Sequence, residues 1–339
     1  MNVLILRPDH IGDMLLTTPF LSALRKAFPE WNITVLCGSW TFPVLENNPN
    51  YNNVVLCNYP WLARDARASW KKFFSTIVEL RLKKFDIVFN LRKAAKAASV
   101  ARAINGRQIW GFDVRKSAWA HTHTIPYRTD CHIADLYLEF VNAQGVRPEH
   151  YGLEFCLNEE EISDFCRKVE LPERYVVLAP GAGYPEKLWL QSRWAETAGF
   201  IVRELNFPVV FTGSGTERTL MRGITDTMQE AAIDLTGQLS IRQAGVLVKK
   251  AQFVVSVDTA AMHIASAVRT SVVALFGPTN PVHWGPYPNG RANRVLSKVT
   301  EFKLGRGSTN KSGGMELITV EDVKSAVYSL CDTEKINVG

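Results

Sequence analysis

The sequence predicts two doubly wound α/β domains, and three observations carry that prediction. Short apolar, β-branched runs alternate with longer amphipathic stretches along most of the chain, the pattern of parallel sheets joined by right-handed helical crossovers. In the second half the runs "YVVLAP" (175–180), "PVVFTG" (208–213), "FVVSVD" (253–258) and "SVVALFG" (271–277) are apolar almost without interruption, as strands covered on both faces are. The length of 339 residues is long for one core and suits two.

The elements follow in order. "VLIL" (3–6) is the first strand. Thr18-Pro19 reads as an N-cap followed by proline in the first helical turn, and Phe20, Leu21, Leu24, Ala27 and Phe28 continue at helical spacing. "ITVLC" (33–37) and "VVLC" (54–57) are strands, a long basic helix covers about 68–84, "DIVFNL" (86–91) is a strand, and helices follow over 93–104 and 130–143. Gly145 is a helix stop. Helices over about 192–205, 217–230, 241–250 and 259–267 separate the strands of the second half, and Ser240 with Gln243 has capping-box spacing. The expected division is a first domain over 1–160, a linker within 145–172 that includes the acidic "NEEE" (158–161), a second domain over 172–318, and a C-terminal helix and tail over 319–339. Beyond about 285 the stretch reads as loop until that last helix.

The composition is that of an ordinary soluble protein, with 46% hydrophobic and 21% charged residues and a net charge of +6. The positive charge is concentrated: between Trp61 and Ala120 there are fourteen Lys and Arg against four Asp and Glu. Such a field points to an anionic partner. The six cysteines are scattered without CxxC spacing, which argues against a zinc or redox motif and for a reducing compartment. The N-terminal apolar run ends at once in Arg7, and no run reaches the ~18 residues of a membrane span. A cytoplasmic location follows, at most peripheral on a membrane. Trp61, Trp70, Phe73 and Phe74 interleave with basic residues as in some nucleic-acid binders, yet they fit a helix core face equally, and no nucleic-acid module is present.

In open α/β sheets ligands bind beyond the carboxyl ends of the strands. After the first strand comes "RPDHIGDMLLTTP", with a single glycine and two acids. That lacks the G-x-G-x-x-G of a dinucleotide site. Asp13 is either a proton acceptor or a helix cap. After 175–180 come Gly181, Gly183 and Lys187 before a helix, which can hold a phosphate or form a plain loop. Gly213 ends the next strand, and Glu217 then binds a ribose or a sugar hydroxyl, or serves as an acid of the first helical turn. Asp258 or Thr259 caps the helix holding His263, itself either packed or functional. Gly277-Pro278-Thr279 makes a rigid turn at the last strand end.

Taken together, "RPDHIGDMLLTTP", "PGAGYPEKLWLQSRW" (180–194), "FTGSGTE" (211–217), "SVDTAAMHIASA" and "VVALFGPTNP" (256–281) resemble glycosyltransferase family 9, the heptosyltransferases of lipopolysaccharide core synthesis. The resemblance spans about 3–285. It implies a GT-B architecture of two Rossmann-like domains facing a cleft, acceptor in the first and nucleotide-sugar donor in the second. It implies an inverting, metal-independent transfer with Asp13 as general base and no cofactor beyond the co-substrate, ADP-heptose. Lys187, Gly213, Glu217, Asp258, Thr259, His263, Gly277, Pro278 and Thr279 would line the donor site. The acceptor would be an anionic glycolipid of the Kdo/lipid A type at the inner membrane, with Arg64, Arg67, Arg92 and Lys96 as its contacts. The motifs leave open a donor for another surface polysaccharide, or a sugar-nucleotide epimerase on the same fold. Ala260 stands where many members carry glycine, and the tail "EFKLGRGSTNKSGGMELIT" lacks the cysteines many members have there.

Overall fold

The computed structural model describes residues 1–62, 68–149, 151–288, 290–300 and 314–336. The chain divides into two compact units, Met1–Cys156 and Leu157–Gly339.

The first unit holds β1 (Asn2–Arg7), α1 (Ile11–Leu15), α2 (Thr18–Ala27), β2 (Asn32–Cys37), β3 (Asn53–Leu56), α3 (Trp70–Leu82), β4 (Ile87–Asn90), α4 (Ala95–Ile104), β5 (Gln108–Asp113), β6 (His123–Pro126) and α5 (Ile133–Asn142). Its strands form one parallel sheet in the order β3-β2-β1-β4-β5-β6. Side chains alternate across the sheet. Leu4, Leu6 and Val88 pack with Phe73, Ile77, Leu80, Val100 and Ile104 of α3 and α4. Phe89 meets Phe20 of α2 and Phe140 of α5, ring centroids 5.2 and 5.8 Å away.

The second unit holds α6 (Glu159–Lys168), β7 (Val176–Ala179), α7 (Gln191–Leu205), β8 (Val209–Phe211), α8 (Arg218–Thr225), β9 (Ile233–Asp234), α9 (Ile241–Lys250), β10 (Val254–Val257), α10 (Ala260–Ala267), β11 (Val272–Phe276), α11 (Pro281–Trp284), β12 (Asn293–Ser297) and α12 (Val320–Glu334). The sheet order β12-β11-β10-β7-β8-β9 repeats that of the first unit when counted from its own first strand, and every pairing is parallel. In each sheet the winding reverses beside the first strand, at β1/β4 and at β7/β10, and those crevices are where such sheets bind ligands.

The structure departs from the sequence reading in three places. Strands β5, β6, β9 and β12 were not expected. The burial of β6 and β12 shows why: "HTIP" buries one residue and "NRVLS" is nowhere fully buried, so these edge strands carry no apolar run. β12 lies in the stretch expected to be loop. The "NEEE" assigned to the linker opens α6, where Asn158 and Glu161 form a reciprocal capping box and acids in the first turn suit the helix dipole. Helix α12 forms where a final helix is expected and packs on the second unit: Val320, Val323, Val327 and Leu330 join its core, and the Trp189 indole donates to the Ile318 carbonyl at 2.9 Å. Finally, α2 starts at Thr18 with Thr17 as its N-cap, one residue earlier than expected.

Candidate active site

The crevice of the first unit is built on a buried arginine. Arg7 ends the apolar strand β1, 3% exposed. Its guanidinium donates to the Leu91 carbonyl at the end of β4 (2.7 Å) and pairs with the Asp13 carboxylate. Its Nε lies 3.3 Å from Asp9 Oδ1, and Arg92 Nε lies 2.7 Å from Asp9 Oδ2. His10 Nδ1 is 3.1 Å from Asp13 Oδ2. The Trp40 indole fixes the turn by donating to the Asp9 carbonyl at 2.5 Å. A buried acid and a partly buried one therefore face two guanidinium groups, which offsets much of the desolvation that burial costs.

The two acids are driven apart. Burial pushes Asp13 up, but the charge of Arg7 and the hydrogen bond to His10 outweigh it and hold the carboxyl below the ordinary carboxylate range. Burial raises Asp9; Arg7 opposes this, the nearby Asp13 charge adds to it, and the net direction is upward. Asp13 is thus the carboxylate kept ionised, and at 19% exposed it is the more open of the two. Among the described residues, Asp9, His10 and Asp13 are the trio whose metal-ligating atoms lie within 4.8 Å of one another. Both carboxylates already face Arg7 or Arg92, and the trio reads as an ion-pair network.

The crevice of the second unit has a buried acid at its centre. Asp258, directly after β10, accepts from Lys187 Nζ at 2.6 Å and from the Thr279 hydroxyl at 2.7 Å, both on Oδ2. The ends of β10 and β11 and the loop after β7 are tied together through one oxygen. Lys187 is 15% exposed. Thr259 is the N-cap of α10 and makes no side-chain capping hydrogen bond, so the first N–H groups of the helix are available to an acceptor. His263 is buried in α10, and Gly277, Pro278 and Thr279 are buried in the turn after β11. At the end of β8 the Glu217 carboxylate accepts from the Ser214 amide (2.6 Å) and hydroxyl (3.0 Å). It lies over Gly181 and Gly213, where added Cβ atoms would overlap it; those glycines make room for the acid.

A family model described as "Glycosyltransferase family 9 (heptosyltransferase)" matches residues 73–311. The chain belongs to glycosyltransferase family 9. It is 29% identical over 333 residues to lipopolysaccharide heptosyltransferase 3 of Escherichia coli, covering 94% of this chain and 96% of that protein. Its structure matches a family 9 glycosyltransferase from Veillonella parvula with a TM-score of 0.81 at 25% identity, covering 97% and 96% of the two chains. It matches the E. coli ADP-heptose lipopolysaccharide heptosyltransferase II with a TM-score of 0.80 at 21% identity, covering 99% and 100%. The fold is therefore GT-B, and the protein is a glycosyltransferase.

Within this family 9 chain the sequence-predicted residues fall into three groups. Lys187, Asp258 and Thr279 are in direct contact, with Thr259, His263, Gly277 and Pro278 on the elements they join. Gly213 and Glu217 form a second cluster at the end of β8. Arg92 joins the Asp13 network through Asp9, whereas Lys96 lies on α4 with its ammonium 5.6 Å from the Trp61 ring centroid. Arg64 and Arg67 lie outside the described residues. Sequence reasoning missed Arg7 and, of the two acids it counted after the first strand, carried only Asp13 forward as a site residue, leaving out Asp9. Their signal was a charged pair closing an otherwise apolar strand, "VLILRPD".

Proposed function

We propose that this protein transfers a heptose from ADP-heptose to an inner-core acceptor of lipopolysaccharide, with inversion at the anomeric carbon. The observation that carries the reading is the Asp13 carboxylate, held ionised by Arg7 and His10 at the strand-end crevice of the first unit. It takes the proton of the acceptor hydroxyl as that oxygen bonds to the anomeric carbon. The bond from that carbon to the β-phosphate oxygen breaks, and ADP departs with the electron pair. One base and one attack from the opposite face account for inversion, and no second carboxylate has to serve as nucleophile.

Lys187 and the N–H groups opening α10 meet the negative charge that develops on the departing diphosphate. Asp258 and Thr279 are positioning residues for Lys187. The transfer proposed here is metal-independent, with Lys187 and the α10 N–H groups supplying the positive charge and the nucleotide sugar as co-substrate without a further cofactor. Glu217 spends one oxygen on its capping hydrogen bonds and offers the other to the nucleoside. Arg92, near the base, and the basic segment around it suit an acceptor bearing acidic sugars and phosphates. The chain's likeness to lipopolysaccharide heptosyltransferase 3 and to the E. coli ADP-heptose lipopolysaccharide heptosyltransferase II supports heptose, ADP and lipopolysaccharide as the reactants. A lipid-anchored acceptor also brings the protein to the cytoplasmic face of the inner membrane as a peripheral protein.

Calorimetry against ADP, UDP, GDP and CDP tests the donor. Selective binding of ADP, followed by transfer to a Kdo-bearing lipid A acceptor, is the expected outcome. Selectivity for another nucleotide would overturn the donor assignment.

A further inference from the structure

Helix α3 packs by one face only. Phe73, Thr76, Ile77 and Leu80 are buried. On the outer side Trp70 (56% exposed), Phe74 (59%), Val78 (57%) and Leu82 (73%) recur every fourth residue. They form a continuous stripe about 18 Å long. Isolated exposed apolar residues are ordinary, but four large ones in register are not. Trp70 is held outward by neighbouring rings, with Trp61 and Phe73 each 6.0 Å away and Phe74 stacked at 5.9 Å. The charges around the stripe are predominantly positive. Lys71, Lys72, Arg81, Lys83 and Lys84 are all exposed, helical spacing puts Lys71 and Arg81 on the stripe's own side, and Glu79 is the only acid of the helix.

We propose that this face seats the protein on the anionic surface of a lipid bilayer. Helix α3 lies along the interface, its four apolar side chains enter the headgroup boundary, and the basic residues meet lipid phosphates. Apolar side chains in line, cations beside and beyond them and a tryptophan at one end are the layout of an interfacial helix. A protein partner fits less well, because Lys71 lies within the apolar stripe, whereas lysine is depleted from the cores of protein interfaces. No helix of the described residues is long and apolar enough to cross a membrane, so contact by a helix lying in the surface is the mode left to these helices. The purpose of the contact rests on the proposed function, since a lipid-anchored acceptor must be met at the membrane; the binding itself does not.

Co-sedimentation of the full chain with vesicles tests this. Vesicles of phosphatidylethanolamine with phosphatidylglycerol should bind it, and vesicles of phosphatidylcholine alone should bind it far more weakly. The double variant Val78→Ser/Leu82→Ser, which leaves the packed rings of Trp70 and Phe74 in place, should lower partitioning about tenfold or more while ADP affinity in solution stays unchanged. Lys71→Gln/Lys83→Gln should lower binding to the anionic vesicles by about thirtyfold and leave the neutral ones unaffected. Failure of the unmodified chain to bind anionic vesicles would overturn the proposal, as would equal partitioning of the Val78/Leu82 variant. So would a concentration-dependent dimer that the same variant dissolves without any vesicle binding, because the stripe would then be an interface between copies. If vesicle binding persists while ADP binding and transfer to a water-soluble acceptor fragment both fail, the transfer reading falls and this one stands.

Discussion

Lys187 has two roles in this account that one variant alone cannot separate. Lys187→Met removes the ammonium 2.6 Å from Asp258 and leaves that carboxylate, 7% exposed, with the Thr279 hydroxyl as its donor. Removing one partner of a buried pair costs about 3–5 kcal/mol. With Thr279 retained, about 3 kcal/mol is the reasonable figure, and a unit of this size loses about 2–4 °C per kcal/mol, so the melting temperature should fall by about 6–12 °C. A lost charge-assisted hydrogen bond to the diphosphate is worth about 1.5–3 kcal/mol, or about 10–150-fold in ADP affinity. Adding Asp258→Ala removes the stranded charge. The double variant should regain most of the stability and none of the affinity. Thermal denaturation and calorimetry with ADP, run on the wild type and both variants, give both readouts. If the double variant recovers affinity together with stability, Lys187 is a structural cation and the diphosphate is bound elsewhere.

Three further predictions follow from the two crevices. Arg7→Met strands Asp9 and Asp13 close together with only Arg92 and His10 beside them, and should destabilise the protein by about 3–5 kcal/mol in chemical denaturation; a loss below about 1 kcal/mol would show that the network contributes little. The Asp13 carboxyl lies below its ordinary value of 3.8 in the folded protein, so its contribution to stability is complete above about pH 4 and is lost as the pH falls toward the folded value. Asp13→Asn should accordingly flatten the acid limb of a stability-against-pH curve, and an unchanged limb would contradict the pairing with Arg7. Gly181→Ala puts a methyl group into the Glu217 carboxylate and should cost about 1–3 kcal/mol by overpacking, with weaker ADP binding if Glu217 serves the nucleoside; normal stability and affinity would show that the acid moves aside freely.

The sequence made the central strands legible because burial on both faces leaves unbroken apolar runs, as in "VVLA" and "VVALF", buried at every position. Edge strands such as β6 and β12 carry no such signature, since β6 buries a single residue and β12 buries none fully. Helix α6 was hidden by its own acids: a run of three glutamates reads as a solvated linker until the capping box at Asn158 is seen. The strand-end residues of the second unit were legible because Gly, Lys, Asp and Thr cluster at consecutive strand ends, and Lys187, Asp258 and Thr279 do meet. What the sequence could not supply was their mutual use, Asp258 holding Lys187 and Glu217 capping its own turn. Nor could it supply the arginine of the first crevice, because contact between Arg7 and Leu91 spans 84 residues.

The most direct test of the central claim is heptose transfer from ADP-heptose by Asp13→Asn, with ADP affinity measured on the same preparation. Loss of the general base should lower the transfer rate by about 10²–10⁴-fold while ADP affinity remains that of the wild type. A variant that transfers heptose at close to the wild-type rate would contradict the assignment of Asp13 and, with it, the role given to the Arg7 network.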